Sequence, residues 1–417
     1  MPKISVFTPS HDPRWLDECY ASLAAQTFTD WEWHVLLNNG ATWHNPVPDD
    51  RVWIDEADDE RSVGALKRDV VNRCDGHLLV ELDHDDLLEP DALEIIDKAC
   101  GIWPEASLIY SDTVQINEDG TPNLTTFDPA HGWRYEAADI GGPTPGICAG
   151  AMEPTPHNVS YIWYAPNHVR AFPRWAYELA GGYNPSLEVC DDQDLMARLY
   201  QVGPFVHYPG VLYRQRVHPA NTQKERNALI QSESLRLYDK WIEPNALAWA
   251  KREGLAALDL GGAHNSPPGY TSVDMAPGAE IQADVLTYLL GLPESSVGVI
   301  RAADFLEHVP VPIHLMNEIH RVLAPNGLLL SCTPSTDGRG AFQDPTHVSF
   351  WNENSFWYYT DPELAKYVPA ITARFQVSRL VSYFPSDWHQ ANSIPYVQAN
   401  LIAVKDGGVR DGGILHW

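Results

Sequence analysis

Short apolar runs alternate along this chain with stretches in which apolar residues recur every three or four positions. The run ISVFTPS at residues 4–10 ends in turn residues, and Asp12-Pro13 then reads as a helix N-cap with proline at the first helical position. Leu16, Cys19 and Leu23 follow at i, i+3 and i+7 and predict one apolar helix face. WHVLLNNG predicts a strand ending in a turn, and RVWI a short strand. Val63, Leu66 and Val70 mark a second amphipathic helix, HLLVELD a buried strand running into acids, and Pro90 the start of a helix through Leu93 and Ile96. Strands alternating with helices predict a parallel sheet covered on both faces. Ligands of such sheets bind beyond the carboxyl ends of the strands, where Thr8, Asn38, Asn39 and Asp83 fall.

From Gly141 to Pro173 the periodicity is lost, and the segment is rich in Gly, Pro, Trp, Tyr and His. A stretch of this kind inside a compact domain is expected to be a functional loop or poorly ordered. After Arg226 a polar helical stretch runs to about Gly254 with an expected break near Pro244, which sets domains of 1–245 and 246–417. Beyond it the α/β pattern repeats. AALDLGG is a strand entering a glycine turn, YTSVD a strand ending in an acid, and VGVIRAA a third strand. Met316, Ile319 and Leu323 mark a helix, and GLLLSCT is a fourth strand. The fold class is therefore α/β, with two doubly wound domains in series.

Composition narrows the function classes. Lys+Arg is 28 against 56 Asp+Glu, a formal net charge of -28 with no basic run, which disfavours a nucleic-acid partner. No stretch of about 18 apolar residues predicts a membrane span. The six scattered cysteines include no C-x-x-C pair, and no basic segment followed by an apolar one precedes ISVFT; a reduced, cytoplasmic setting is expected.

The densest chemistry lies in ELDHDDLLEPDAL, where Asp83, Asp85 and Asp86 follow a buried strand. Carboxylates at alternate positions of a turn can share Mg2+ or Mn2+, a cation able to stabilise a nucleotide diphosphate as it departs. A solvated acidic loop is the plain alternative. Four ordered segments extend the pattern: ISVFTPSHDPRWLDECYASLAAQTFTDWEWHVLLNNG, SVGALKRDVVNRCDGHLLVELDHDDLLEPDALE, GGYNPSLEVCDDQDLMARL and YRQRVHPANTQ. Over residues 3–225 this order resembles the inverting family 2 glycosyltransferases of the GT-A fold. The resemblance implies that Thr8, Pro9, Asn38 and Asn39 line a nucleotide pocket and that Lys67 and Arg68 approach the diphosphate. It also implies Asp83 at the ribose or metal, Asp85 as the main metal ligand, and His218 either completing the metal site or touching the diphosphate, a plain loop histidine being the alternative. Asp192, with Asp191 next, would be the base that accepts the acceptor hydroxyl's proton, while Asp194 serves the helix. Trp163, Tyr164, His168 and Trp175 would form an acceptor site by stacking on sugar rings, or pack the loop onto the sheet; aromatic residues suit both roles.

In the second half, LDLGG, VIRAADFLEHV, EIHRVLAPNGLLLSCTPS and AFQDPTHVSFWNENSF resemble class I methyltransferases that use S-adenosylmethionine, over about residues 250–405. By that resemblance Asp259, Gly261 and Gly262 surround the methionine part, Asp274 binds ribose, Asp284 lies on the adenine side and Asp304 on the pocket floor. Glu307, His308 and His347 are substrate-side candidates. Where the family usually has a further glycine, this chain has Ala263-His264. The expected whole is a bifunctional enzyme that glycosylates and methylates a glycan, lipid-linked saccharide or protein acceptor. The alternatives are a glycosyltransferase with an inactive methyltransferase-like domain that holds the acceptor, and a non-catalytic carbohydrate-binding protein.

Overall fold

The computed structural model describes residues 3–57 and 61–405, and the chain divides into two compact units, Met1–Asn245 and Ala246–Trp417. The first unit runs β1 (Ile4–Ser10), α1 (Leu16–Ala24), β2 (Trp31–Leu37), β3 (Val52–Glu56), α2 (Val63–Val71), β4 (Leu78–Glu81), β5 (Leu87–Leu88) and α3 (Ala92–Ile102). It continues with β6 (Leu108–Asn117), β7 (Arg134–Ala138), β8 (Gly146–Gly150), α4 (Pro156–Val159), β9 (Arg170–Pro173), α5 (Arg174–Leu179), α6 (Asp191–Val202), β10 (Phe205–Val217), α7 (Thr222–Glu225) and α8 (Asn227–Arg252). Its sheet has the order β3-β2-β1-β4-β9-β6-β10-β5, with the β7–β8 hairpin attached to β6.

The helix faces follow the spacing. Leu16, Cys19 and Leu23 are fully buried, and the side chain of Asp12 accepts a hydrogen bond from Arg14 N at the head of the helical segment. Alternation along β1 sends Ile4 and Val6 to one core with α1 and α3, and Phe7 to a second core with α2 and α6.

Two expectations change. The first sheet is parallel from β3 to β4 and again between β6 and β10, but not throughout. Between these two blocks β9 pairs antiparallel with both β4 and β6, so the segment expected to be irregular supplies a central strand. A four-residue strand among prolines and aromatics carries no periodicity of its own; its place is set by partners remote in sequence. The expected break at Pro244 is also absent, and α8 continues through it. Proline removes one N–H bond, but Leu237, Tyr238, Ile242, Ala246 and Ala250 are buried along the helix and hold it.

The second unit contains β11 (Ala256–Leu260), β12 (Thr271–Asp274), β13 (Ile281–Gln282), α9 (Val285–Leu290), β14 (Val297–Ala303), α10 (Pro312–Val322) and β15 (Leu323–Pro334). It ends with α11 (Gly340–Gln343), α12 (Glu353–Thr360), α13 (Pro362–Ala365), β16 (Phe375–Tyr383), α14 (Asp387–Ala391) and β17 (Tyr396–Ala403). The sheet order is β13-β12-β11-β14-β15-β17-β16, parallel through β15 and antiparallel at β17 and β16. Order reverses at β11, so the crevice between β11 and β14 is the switch point at which doubly wound sheets bind ligands. Met316 and Ile319 are fully buried on α10, as their spacing predicts, whereas Leu323, expected on the same helix, turns extended (ψ 136) and opens β15, where it is also buried.

Candidate functional site

The first unit gathers charge at the carboxyl end of β4. Glu81, its last residue, lies opposite Arg170, the first residue of β9. Lys67 reaches this point from α2. The amino end of α2 packs tightly against the loop before α6, since a Cβ on Gly64 would stand 2.0 Å from the Asn184 carbonyl oxygen. That close approach sets Lys67 between two acids: its Nζ is 2.5 Å from Glu81 and 3.0 Å from Asp191. Arg170 Nη1 is 2.6 Å from Asp192 and 3.8 Å from Glu81. Two cations thus balance most of the charge on three buried or half-buried carboxylates, without which burial would be prohibitive. Glu81 and Arg170 were missed in the sequence. Glu81 reads as the end of a strand and Arg170 as part of a loop; the one available signal was that so many acids need buried cations.

The two candidate bases differ in environment. Burial pushes the Asp191 carboxyl up to about 6, against the pull of Lys67. For Asp192 burial acts the same way, but the Arg170 guanidinium outweighs it and holds the group at about 2. The side chain of Asp192 keeps 20% of its surface open against 7% for Asp191, so Asp192 is the more accessible of the two. Asp194 is structural as expected, taking hydrogen bonds from Arg198 and from the Trp241 indole.

The acidic turn beyond β4 is held from beneath. Arg216, fully buried, donates its backbone N–H to Asp86, its Nε to the Asp85 carbonyl at 2.8 Å and its Nη2 to Glu18 at 2.7 Å. Burial, with Asp85 and Asp83 nearby, raises the Asp86 carboxyl well above the usual range. His218 Nε2 lies 2.8 Å from Asp85 Oδ2, and its ring packs on Trp15. Asp83 faces His168 instead, at 3.6 Å. Burial raises Asp83 to about 7, although a third of its side chain is open and solvent weakens the effect. The His168 imidazole, buried beside Arg170, is pushed down to about 3 and is neutral.

Among the described residues, the ligand atoms of Asp83, Asp85 and His218 do not close to within 4.8 Å of one another. Asp85 and His218 alone form a preassembled pair. Such a pair fits a divalent cation that completes its shell with phosphate oxygens and water rather than with a full protein cage.

Other expected contacts fall differently. Thr8 sits at the right end of β1, but it has no exposed surface; its hydroxyl donates to the Leu82 carbonyl at 2.7 Å and accepts from the Trp33 indole at 2.9 Å. It ties strands together, and its hydroxyl is already committed to Leu82 and Trp33. Pro9 is half-buried beside it. Asn38 is buried with its side-chain oxygen unpartnered, and Asn39 is exposed in a left-handed conformation with φ 53. Arg68, about 100° around the helix from Lys67, is exposed and donates to the Tyr183 carbonyl at 3.4 Å, so it does not join the charge cluster. Trp175 is also displaced. The antiparallel register carries β9 from Arg170 opposite Glu81 back to Pro173 opposite Leu78, which leaves Trp175 exposed near the amino end of β4. Tyr164 stacks on His157, and the Trp163 indole reaches Gln231 on α8 at 3.4 Å; both are half-buried. His168 alone of the four aromatics touches the acidic turn.

In the second unit the turn after β11 is built on backbone. Gly261 has φ 76, and a Cβ there would meet Phe305 at 2.5 Å; a Cβ on Gly262 would stand 2.0 Å from Asp259 Oδ2. Asp259 is fully buried, with one oxygen held by Arg301 at 2.9 Å and the other unpartnered. A glycine turn over an orphaned buried oxygen fits a close-lying nucleoside cofactor. Asp274, half-buried at the end of β12, accepts the Ala276 N–H and stands where ribose-binding acids stand. Asp284 is a helix cap: exposed, it accepts from both Thr287 N and Thr287 Oγ1 at the head of α9, and those bonds lower its carboxyl. Asp304 is exposed with φ 49 at the carboxyl end of β14, a rim position and not a floor. Ala263 occupies the departing position in the left-handed region, with φ 44.

Residues 185–387 match the family model described as a methyltransferase domain. The chain is similar to chondroitin synthase of Escherichia coli, 26% identical over 257 residues that cover 56% of this chain and 33% of that protein. It is likewise similar to hyaluronan synthase of Pasteurella multocida, 22% identical over 249 residues covering 56% and 23%. The chain joins a glycosyltransferase-like unit to a methyltransferase-like one. It spans a third or less of the length of these two curated relatives. Among solved structures, S. aureus TarS 1–349 in complex with UDP is similar with TM-score 0.41 and 12% identity, covering 60% of this chain and 70% of that one. The methyltransferase match begins at residue 185, but residues 185–245 belong to the glycosyltransferase-like unit, where they include α6 with Asp191 and Asp192. Among the described residues, no helix is long and apolar enough to cross a membrane.

Proposed function

We propose that the first unit transfers a sugar from a nucleotide-sugar donor to an acceptor hydroxyl with inversion, and that the second transfers a methyl group from S-adenosylmethionine to the same or a related glycan acceptor. The observation that carries the first part is the meeting of three sequence-remote segments, those of Asp83–Asp85, Arg170 and Asp192, at one strand end.

Asp192 is the base. Its Arg170 partner keeps it ionised and oriented, and it takes the proton of the acceptor hydroxyl as that oxygen attacks the anomeric carbon from the side opposite the nucleotide. A weakly basic carboxylate suffices, because the hydroxyl becomes acidic only as the new bond forms. Asp85 and His218 hold a divalent cation, Mn2+ or Mg2+, which when bound neutralises the departing diphosphate. Asn38 and Asn39 flank the nucleotide, and Lys67 fixes Asp191 and Glu81 behind the site without contacting the donor. In the second unit Gly261 and Gly262 admit the methionine part of the cofactor, and Asp274 orients its ribose. S-adenosylmethionine, when bound, supplies an electrophilic methyl group.

The test is calorimetric binding of UDP, then GDP and dTDP, with and without Mn2+, to the wild type and Asp85→Asn. Metal-dependent binding abolished by the substitution is the expected result. Absence of binding to all three nucleotides overturns the glycosyltransferase reading.

A further inference from the structure

The loop after β14 brings a second set of metal-binding side chains together. Glu307, His308 and His347 each offer one ligand atom, and the three atoms lie within 4.8 Å of one another. His347 belongs to a distant segment that is tied to the loop by its backbone. Val348 N and Ser349 N donate to the Glu307 carbonyl at 2.8 and 3.0 Å, and Ser349 Oγ donates to the Leu306 carbonyl at 2.7 Å.

Each of the three side chains is oriented by a partner that leaves a ligand atom free. His308 Nδ1 lies 3.3 Å from the Thr346 carbonyl, and His347 Nδ1 lies 3.0 Å from the Ala341 carbonyl. A carbonyl oxygen only accepts, so both Nδ1 atoms carry the proton and both Nε2 atoms present lone pairs. Thr346 Oγ1, which also approaches His308 Nδ1 at 3.2 Å, spends its own proton on Asp344 at 2.7 Å. The Glu307 carboxylate is buried and receives the Thr333 hydroxyl at 2.6 Å on one oxygen. Metal-bound imidazoles and carboxylates are fixed in this way by outer partners.

We infer that Glu307, His308 and His347 form a site for a first-row divalent cation of the zinc class, distinct from the acidic turn of the first unit. Two imidazole nitrogens and one carboxylate oxygen are a zinc-type donor set with at least one open position, whereas Mg2+ prefers oxygen ligands throughout. Neighbouring ligands around tetrahedral zinc stand about 3.4 Å apart for bonds of about 2.0–2.1 Å. Atoms within 4.8 Å of one another therefore need to approach by at most about 1.4 Å per pair, through rotation of the exposed His308 and a smaller adjustment of His347 toward Glu307. The site lies beyond the carboxyl end of β14, the same end as Asp304 and the Phe305 ring over Gly261. Its open position would face an acceptor oxygen; that last step rests on the methyl-transfer reading, while cation binding does not.

The experiment uses the full chain carrying Asp85→Asn, which silences the first unit's cation pair. Zn2+ affinity and stoichiometry are measured by competition with a chromophoric chelator, and Co2+ binding by its visible absorption. One Zn2+ per chain is expected, with no competition from millimolar Mg2+. Adding His308→Ala or His347→Ala should weaken binding by about 100-fold or more, since even the outer partners of metal ligands are worth about 10–100-fold. Glu307→Gln, the buried member, is read with circular dichroism beside it, and the exposed His308→Ala carries the decision should that variant misfold. No Zn2+ bound by the Asp85→Asn chain, or unchanged binding in both histidine variants, overturns the site.

Discussion

In the glycosyltransferase-like unit the candidate site is a set of charged side chains that hold one another: Lys67 between Glu81 and Asp191, Arg170 on Asp192, His218 on Asp85. In the methyltransferase-like unit it is mainly one backbone turn, in which two glycines admit a ligand over a buried aspartate. Both lie beyond the carboxyl ends of strands, but they fail differently. The first depends on charge balance among remote segments, so single substitutions there should act through electrostatics and respond to pH. The second depends on local backbone space, so substitutions there should act through sterics and be indifferent to pH.

The largest expected effect tests the chemistry of the first site. Asp192→Asn should retain UDP binding and lose about 10²–10⁴-fold in sugar transfer, as read by initial rates beside calorimetry; undiminished turnover would remove the base assignment. Next, Arg170→Met strands Asp192 and part of Glu81, and should lower stability by about 3–5 kcal/mol in denaturant unfolding near neutral pH. The sign with pH follows from Asp192, held at about 2 in the folded chain against about 3.9 when unfolded. The pair stabilises fully above about pH 4 and is lost as pH falls through 2, so the gap between wild type and variant should close over that interval. A gap that is constant with pH would mean Arg170 acts by packing.

On the other side of the comparison, Gly262→Ala places a methyl 2.0 Å from the Asp259 carboxylate. It should cost about 1–3 kcal/mol and abolish S-adenosylhomocysteine binding at every pH. The smallest effect is opposite in sign. Ala263→Gly relieves a left-handed alanine and should raise stability by about 1 kcal/mol, seen as a higher melting temperature. A lower melting temperature would show that the Ala263 side chain makes contacts worth more than the strain.

This contrast also explains what was legible in the sequence. Local signals survived folding: the cap at Asp12, the faces of Leu16, Cys19 and Leu23, the glycine turn after β11, and the acid ending β12. What the sequence hid was long-range. Thr8 occupies its expected strand end, but Trp33 and Leu82 use up its hydroxyl. Arg170 gains its role only because β9 inserts beside β4, and the same insertion removes Trp175 from the site. Glu81 looked like one more strand residue until its register partner was known.

The unbroken helix α8 bears on how the protein can be taken apart. Its middle serves the first unit, where the Trp241 indole binds Asp194 and Asn245 accepts from Gln201. Its last turns serve the second, where Leu247 abuts Gly269 and Ala250 lies against Gly298 so closely that a Cβ there would be 2.6 Å away. A scission between Asn245 and Ala246 would leave both fragments with a severed helix and raw carbonyl and amide ends. Separate expression of the two units is therefore best attempted with overlapping fragments, each retaining all of Asn227–Arg252.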